Sequence, residues 1–464
     1  MSHYSRRKFV KTLTAGSALA VTALHQVHAA DQPQMLESPV WQAHSANDKI
    51  RVVAIGAGIM GFNNMRSALK VPGVELVGVC DLYDGRMARV KEVFGNQIIT
   101  TRDYRELISR ADVDAVIVST SDHWHDRIAI DALNAGKHVY CEKPMVNKLD
   151  KGAGVIAAEK KSGKVLHVGS QLFSSIATQK AKDLYESGAI GELMMIESYN
   201  DRNDSGGAWQ YSIPTDASPE TVDWDRFLGD APKRAFDKTR FFRWRNYTDY
   251  GTGAAGDLFV HLFTRFHRVI SSVGPERCFA TGGLRFWKDG RDVPDVIMGL
   301  YDYAQAEKHP AFQVQMRVNF VSGGGGAYVV KMVGTEGEMI LDFNNVIVRG
   351  SGVSTAPSYG GWDSFNTFTE AQQKEYVKWF ESTYPKLGGG GMSGPGERVY
   401  AAPEGYDDHY HHFFNFFSAI RSNDRSIVED GEFGFRAAGP ALLANLSYAE
   451  KKVVRWDPKA MKLL

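Results

Sequence analysis

Residues Arg51–Asp81 read RVVAIGAGIMGFNNMRSALKVPGVELVGVCD, and this stretch decides the fold. Val52-Val53-Ala54-Ile55 is an apolar, largely β-branched run, the pattern of a buried strand. Gly56-x-Gly58-x-x-Gly61 follows at once. A helical segment comes next, starting with Ile59 and Met60, and then a second apolar run from Glu75 to Cys80 that ends on Asp81. Gly56 permits a tight turn, Gly58 lets a pyrophosphate approach the backbone, and Gly61 lets the helix pack closely on the strand. The helix N-terminus offers free N–H groups and a positive dipole end to phosphate. Asp81 stands 20 residues beyond the last glycine, where a carboxylate accepts from ribose hydroxyls. The stretch therefore reads as a dinucleotide site, with NAD favoured because a carboxylate repels a 2′-phosphate. Arg86 nearby leaves NADP possible.

The same alternation of strand and amphipathic helix continues to residue 172, with strands at Val113–Thr120, His138–Cys141 and Lys164–Gly169. This predicts a doubly wound parallel sheet with its ligand at the C-terminal strand ends. Ser119, His125 and Glu142-Lys143 fall at those ends. Beyond 173 the texture changes. Residues 201–250 are rich in Trp, Arg, Asp and Gly without a clean period, which marks a functional loop. A helix is expected at Ala254–Ile270. Successive strand-like runs between Arg277 and Phe343, with no helix between them, predict a large, mostly antiparallel open sheet. Gly323–Gly326 reads as a hairpin loop, residues 350–408 read as irregular, and His409–Arg421 and Glu432–Lys451 read as helices. The fold class is α/β: a nucleotide-binding domain at 50–172 followed by an α/β substrate and oligomerisation domain at 173–464.

The 464 residues carry 54 basic and 54 acidic side chains, so no bulk charge argues for nucleic acid. Three cysteines make neither a disulfide framework nor a zinc pattern. Residues 1–30 read as a targeting segment. Ser5-Arg6-Arg7-Lys8-Phe9-Val10-Lys11 resembles the twin-arginine export consensus, and the Ala-rich run from Thr12 to Leu24 is too short to span a bilayer. A periplasmic or otherwise exported protein that uses the twin-arginine machinery is expected, with a linker at 31–49 and no integral membrane contact.

The chain resembles the Gfo/Idh/MocA (glucose–fructose oxidoreductase / inositol dehydrogenase) family. The resemblance rests on the glycine motif with Asp81, on Gly136-Lys137-His138-Val139-Tyr140-Cys141-Glu142-Lys143-Pro144, and on Gly251-Thr252-Gly253 followed by Asp257-x-x-x-His261. Asp223-Trp224-Asp225 with Phe227-Leu228-Gly229 resembles its exported, sugar-acting members. The resemblance implies a nicotinamide cofactor between two domains, a carbohydrate-like substrate, and dimers or tetramers formed through the open sheet face. It assigns Lys143 to proton exchange or oxygen polarisation, His261 to general acid/base work, and Asp257 to orienting His261 or binding substrate. Asp257 and His261, four apart on one helix, are expected to share a face. Arg240, Arg243, Trp244 and Arg245 form a basic, aromatic patch suited to a sugar. Asp407, His409, His411 and His412 read as a helix start rather than a metal site, and no metal is expected. Thr264, Phe259 and the Gly169–Phe173 segment depart from the family pattern.

A dehydrogenase outside the cytoplasm has no free nicotinamide pool, so a tightly bound cofactor recycled within each catalytic cycle is expected. Two other readings compete. One is an NAD-dependent, redox-neutral glycoside hydrolase, a branch that usually lacks the lysine at the position of Lys143. The other is an exported sugar-binding protein on a retained fold.

Overall fold

The computed structural model describes residues 33–38, 49–351, 356–357, 359–384 and 396–464. The export segment at 1–30 lies outside these residues, as do most of the expected linker and Gly388–Gly391. The linker is not wholly irregular: β1 (Gln34–Met35) pairs in parallel with Tyr400–Ala401.

The first domain is built from β2 (Ile50–Ile55), α1 (Ile59–Leu69), β3 (Val74–Cys80), α2 (Asp84–Phe94), β4 (Ile99–Thr101), α3 (Tyr104–Ile108), β5 (Ala115–Val118), α4 (His125–Asn134), β6 (His138–Glu142), α5 (Gly152–Ser162) and β7 (Leu166–Gly169). Its six strands are parallel in the order β4-β3-β2-β5-β6-β7, the expected doubly wound sheet. β5, Ala-Val-Ile-Val, is buried at every residue, because helices cover both faces of the sheet. β4 was not anticipated. Three edge residues, none of them buried, leave no apolar period to read.

The second domain follows α6 (Ile176–Glu186) with β8 (Leu193–Asp201), α7 (Trp224–Leu228), α8 (Lys238–Phe242) and α9 (Val260–Ile270). Strands β9 (Arg277–Gly283), β10 (Val296–Tyr303), β11 (Phe312–Asn319), β12 (Ala327–Gly334), β13 (Gly337–Leu341) and β14 (Asn345–Gly350) come next. The chain closes with α10 (Glu370–Thr383), β15 (Glu397–Ala401), α11 (Asp408–Ser422), α12 (Gly431–Glu450), β16 (Val454–Asp457) and β17 (Lys462–Leu463). The sheet order is β1-β15-β14-β13-β12-β8-β11-β10-β9-β16-β17. Helices α6, α9 and α12 cover one face through a shared apolar cluster that includes Leu184, Phe263, Phe266 and Leu443. The other face leaves Phe279, Met298 and Leu300 exposed.

Two expectations are corrected here. Gly323–Gly326 does not close a hairpin, because β8 lies between β11 and β12, parallel to the first and antiparallel to the second. A glycine-rich turn signals a reversal but not which strand fills the slot beside it. Residues 350–408 are not irregular throughout: they hold α10, begun by a Thr369–Gln372 capping box, and β15. With Phe380 its one buried residue, α10 lacks the apolar stripe that would announce it.

α11 crosses back to the first domain. Phe413, Phe416, Phe417 and Ala419 share a core with Val52, Ala54, Ile117 and Tyr140. Tyr140 stacks on Phe413 at 4.2 Å. Packing therefore does not respect a boundary at 172. Beneath this contact runs a buried relay. The Glu429 N–H donates to His167 Nδ1 (2.8 Å), His167 Nε2 meets His412 Nδ1 (3.0 Å), and His412 Nε2 meets the Val168 carbonyl (2.8 Å). Ser174 Oγ stands 2.7 Å from that same His412 Nδ1. The geometry fixes one proton on each ring, so both imidazoles are neutral. Burial pushes His167 down to about 3 and holds His412 well below its ordinary value.

This relay makes a stability prediction. Unfolded histidines take up protons near pH 6.5 while the native pair does not, so stability falls as pH drops below that value. The slope is about 1.4 kcal/mol per pH unit for each histidine. Urea unfolding at pH 7.5 and 5.5 measures it, and an unchanged midpoint contradicts a neutral pair.

Candidate active site

At the β2–α1 turn, Gly56 adopts φ +92, and a Cβ there would lie 2.5 Å from the Ser119 carbonyl oxygen. A Cβ on Gly61 would lie 2.0 Å from the Gly56 oxygen. Gly58 differs: the nearest atoms to a Cβ there belong to the Arg86 guanidinium, at 3.9 Å. Its missing side chain opens a cradle toward the cleft rather than allowing close packing. α1 starts beside it with no side-chain cap and no acid in its first turn, leaving N–H groups for an anion. The buried Asp81 carboxylate accepts from Ala57 N (2.7 Å) and Tyr83 N (2.9 Å), with Arg86 3.7 Å away. Arg86 lies over Phe242 (5.2 Å) and Phe241 (5.7 Å). The open cleft, about 1030 Å³ with the solvent space at its mouth included, is lined by Gly56, Gly58, Ile59, Met60, Asp81, Arg86, Ser119, His125, Glu142 and Lys143. These residues fit a dinucleotide. Gly61 acts from behind, by holding α1 against the turn.

The opposite wall comes from residues 209–250, within the 201–250 stretch that has no clean period. Tyr211, Phe227, Phe241, Phe242, Trp244 and Arg245 face the glycine turn across the cleft. A second aromatic core forms where Trp224, Phe227, Phe241, Phe242, Tyr247 and Tyr250 gather on Tyr83. This strap is stitched to the first domain. Asp84 N donates to Thr221 O (3.0 Å), Asp223 N to Leu82 O (2.8 Å), and Trp124 Nε1 to Phe227 O (2.9 Å). The Tyr83 hydroxyl donates to Asp216 at 2.6 Å.

At the inner end stands Lys143, directly after β6. Its Nζ donates to the Asp257 carbonyl (2.9 Å) and carboxylate (3.0 Å), leaving one of three donors uncommitted. The expected helix at 254–270 runs unbroken but contains a π turn at Ala255–Phe259 that leads into α9. A π turn is wider than an α turn, so i and i+4 no longer stack. Asp257 turns to Lys143 and to Arg245 Nε (3.3 Å), and His261 is not among the hydrogen-bond partners of its carboxylate. Of the two roles expected for Asp257, orienting His261 or binding substrate, the hydrogen bonds show neither: its carboxylate is held by Lys143 and Arg245. Burial alone would raise the Asp257 pKa, but Lys143 and Arg245 overcome it and hold the carboxyl well below its usual range. Burial, and next the charge on Lys143, hold partly buried His261 well below an ordinary histidine. It stands as a neutral imidazole.

Of the basic patch, only Trp244 and Arg245 line the cleft, with the Arg245 guanidinium 4.2 Å from the Trp244 ring centre. Arg240 pairs with Asp249 (3.3 Å) and stacks on Tyr247 (4.1 Å). Arg243 donates to Tyr211 O (2.8 Å) and to the Gln210 side chain. Both brace the strap. Asp407 caps α11 by accepting from Tyr410 N, and among the described residues no group of three or more His, Cys, Asp or Glu is arranged to hold a metal.

Sequence reasoning missed Asn64. Fully buried on α1, it donates to Ser119 Oγ (3.0 Å) and Glu142 Oε1 (2.8 Å), tying two cleft residues together. Its signal was an amide at i+3 from Gly61, on the helix face that packs on the sheet. Gln171 supports the same carboxylate at 3.4 Å. Thr252 of the Gly-Thr-Gly turn donates through N and Oγ1 to buried Asp122 (2.9 and 2.8 Å), holding the second domain to the β5 end of the first.

Residues 50–170 match the model of an oxidoreductase family with an NAD-binding Rossmann fold, GFO_IDH_MocA. An inositol 2-dehydrogenase of Salmonella paratyphi B is 35% identical over 144 residues, 31% of this chain and 43% of that protein. A glycosyl hydrolase family 109 protein of Shewanella baltica is 29% identical over 211 residues, 43% of this chain and 46% of that protein. The chain thus spans less than half the length of these curated relatives. Solved structures resemble it over far more of its length. A levoglucosan dehydrogenase in complex with NADH and levoglucosan matches with TM-score 0.60 at 18% identity, covering 88% of this chain and 99% of that one. A myo-inositol dehydrogenase, so described, from Sinorhizobium meliloti matches with TM-score 0.57 at 16% identity over 88% and 99%. At such identities the likeness establishes the fold.

The turn geometry makes a direct prediction. Gly61→Ala drives a Cβ into the Gly56 backbone, so α1 must shift away and nucleotide affinity falls at least about tenfold, a loss of about 1.4 kcal/mol. NAD titration by calorimetry measures this, and wild-type affinity in the variant contradicts the close approach.

Proposed function

We propose that this chain, whose nucleotide domain belongs to the Gfo/Idh/MocA oxidoreductase family, transfers hydride to or from a secondary hydroxyl of a sugar, sugar derivative or glycoside. The observation that carries the reading is the Lys143–Asp257–Arg245 triad at the inner end of a dinucleotide cleft. The bound nicotinamide supplies a two-electron hydride acceptor and donor. The uncommitted Lys143 donor polarises the substrate oxygen, and neutral His261 accepts the hydroxyl proton in oxidation and returns it in reduction. Asp257 keeps Lys143 charged and aimed. Gly58 and the α1 N-terminus hold pyrophosphate, and Asp81 takes the adenosine ribose hydroxyls with Arg86 beside it.

The strap supports a cofactor that stays bound, because its aromatic residues close the cleft from the side opposite the glycine turn. Retention and recycling suit an exported enzyme, the expectation raised by Ser5–Lys11. A second reading, redox-neutral glycoside hydrolysis, is favoured by the match to a family 109 hydrolase and uses the same hydride chemistry in both directions.

Protein purified without added cofactor is expected to release stoichiometric nicotinamide on denaturation. The bound cofactor is expected to change redox state, seen by its fluorescence, when a sugar is added. Lys143→Met is expected to slow that change about 10²- to 10⁴-fold while leaving the cofactor bound. Reduction on one sugar and reoxidation on another supports the oxidoreductase, whereas aglycone release from glycosides without net redox change supports hydrolysis. Wild-type rates in Lys143→Met would sink the role given to that residue.

A further inference from the structure

The root of the strap is a strained turn, and its surroundings hold it in that state. The chain reverses at Ser205–Gln210, with Gln210 N donating to the Ser205 carbonyl (2.8 Å) and Trp209 N to the Gly206 carbonyl (3.0 Å). This pair of bonds ends a helical turn on a left-handed residue, a place glycine usually takes. Trp209 takes it here, at φ +64. A bulky side chain at positive φ is unfavourable, and it persists only where the surroundings over-determine it.

Two sets of contacts do so. The indole is 1% exposed and meets the Phe320 ring edge-on, with the centroids 4.8 Å apart. Three arginines then hold the backbone on either side. Arg202 Nη1 donates to the Gly207 carbonyl (2.9 Å), Arg291 Nη2 to the Ala208 carbonyl (2.8 Å) and Arg243 Nε to the Tyr211 carbonyl (2.8 Å). Arg291 is itself fixed on Asp289 by two bonds (2.9 and 2.8 Å), and Asp289 also accepts from the Gln210 side chain. Charged donors on three carbonyls within five residues leave this backbone little freedom.

The residue placed by this turn is Tyr211. It lines the cleft in the wall that carries Trp244 and Arg245, and its ring rests on the main core. Among the described residues its hydroxyl has no hydrogen-bond partner, and protein does not enclose it. Burial pushes the phenol above its usual pKa, so at neutral pH it both donates and accepts. Strain held beside an open hydroxyl is the mark of a ligand clamp. The cofactor's pyrophosphate and adenosine ribose are provided for by the glycine turn, α1 and Asp81 of the first domain, which leaves Tyr211 for the other ligand.

We propose that Tyr211 contacts the substrate, its phenol hydroxyl bonding a sugar hydroxyl, and that Trp209 is the positioning residue that aims it. This rests on the oxidoreductase reading above and adds a specificity-determining contact to that same site.

The test is a double-mutant cycle of Tyr211→Phe and Trp209→Phe on the cofactor-loaded protein. The probes are myo-inositol, glucose, galactose, N-acetylgalactosamine and methyl α-galactoside. Calorimetry reads sugar affinity, nicotinamide fluorescence reads redox change, and retained cofactor shows that each variant is folded. Tyr211→Phe is expected to weaken sugar binding about three- to tenfold with the cofactor still bound. Trp209→Phe is expected to weaken it as well, but to add nothing in the Tyr211→Phe background, because it acts through that hydroxyl. Unchanged affinity in Tyr211→Phe for every sugar the wild type binds overturns the contact. No effect of Trp209→Phe, or an equal effect in both backgrounds, overturns the positioning role. A wild type that binds none of these sugars removes this proposal and the sugar reading together. Affinity lost in Tyr211→Phe, without redox change in any sample, leaves the contact standing and removes the oxidoreductase reading instead.

Discussion

The ion pair between Lys143 and Asp257 is the constraint on which the rest of the site depends. Lys143 leaves the end of a strand in the first domain, and Asp257 belongs to the second. Both are nearly shut off from water, at 9% and 4% exposure. A buried ammonium is tolerated only with a partner in good geometry, so the two domains must meet where these groups meet. The π turn at Ala255–Phe259 meets that demand locally. It carries both the carbonyl and the carboxylate of Asp257 to the same ammonium. With Lys143 and Arg245 fixed on Asp257, His261 stays neutral one turn further along.

Around this pair the second domain wraps back over the first. The strap at 209–250 lays an aromatic core on Tyr83, accepts a hydrogen bond from Trp124 and forms the far wall of the nucleotide cleft. α11 closes the opposite side by joining the core of the parallel sheet, and the His167–His412 relay lies beneath it. Helix α1 then serves both ends of the problem. Its N-terminus faces the phosphate position while Asn64, a turn later, holds Ser119 and Glu142.

The parts legible in the sequence are those whose physics is local. The glycine turn, the acid at the end of β3 and the lysine after β6 each sit within one strand–helix unit, and chain geometry there leaves little choice. All the expected cofactor-facing residues except Gly61 line the cleft. The second domain was legible as a class but not as a topology, because β8 enters the sheet between strands more than 110 residues later. The basic patch was legible as a patch. Which of its members reach the cleft depended on carboxylates such as Asp249 that pair two of the arginines away.

The sequence by itself determined the parallel nucleotide-binding domain and the antiparallel character of the larger sheet. It did so because turn sterics, strand periodicity and motif spacing act over a few tens of residues. Only the tertiary structure decided that Asp257 binds Lys143 and Arg245 rather than His261. It alone also showed that Asn64 links two cleft residues and that α11 packs on the first domain. These outcomes are set by burial and by charge balance among groups distant in the chain, and no local pattern records which of several available partners a buried charge will find.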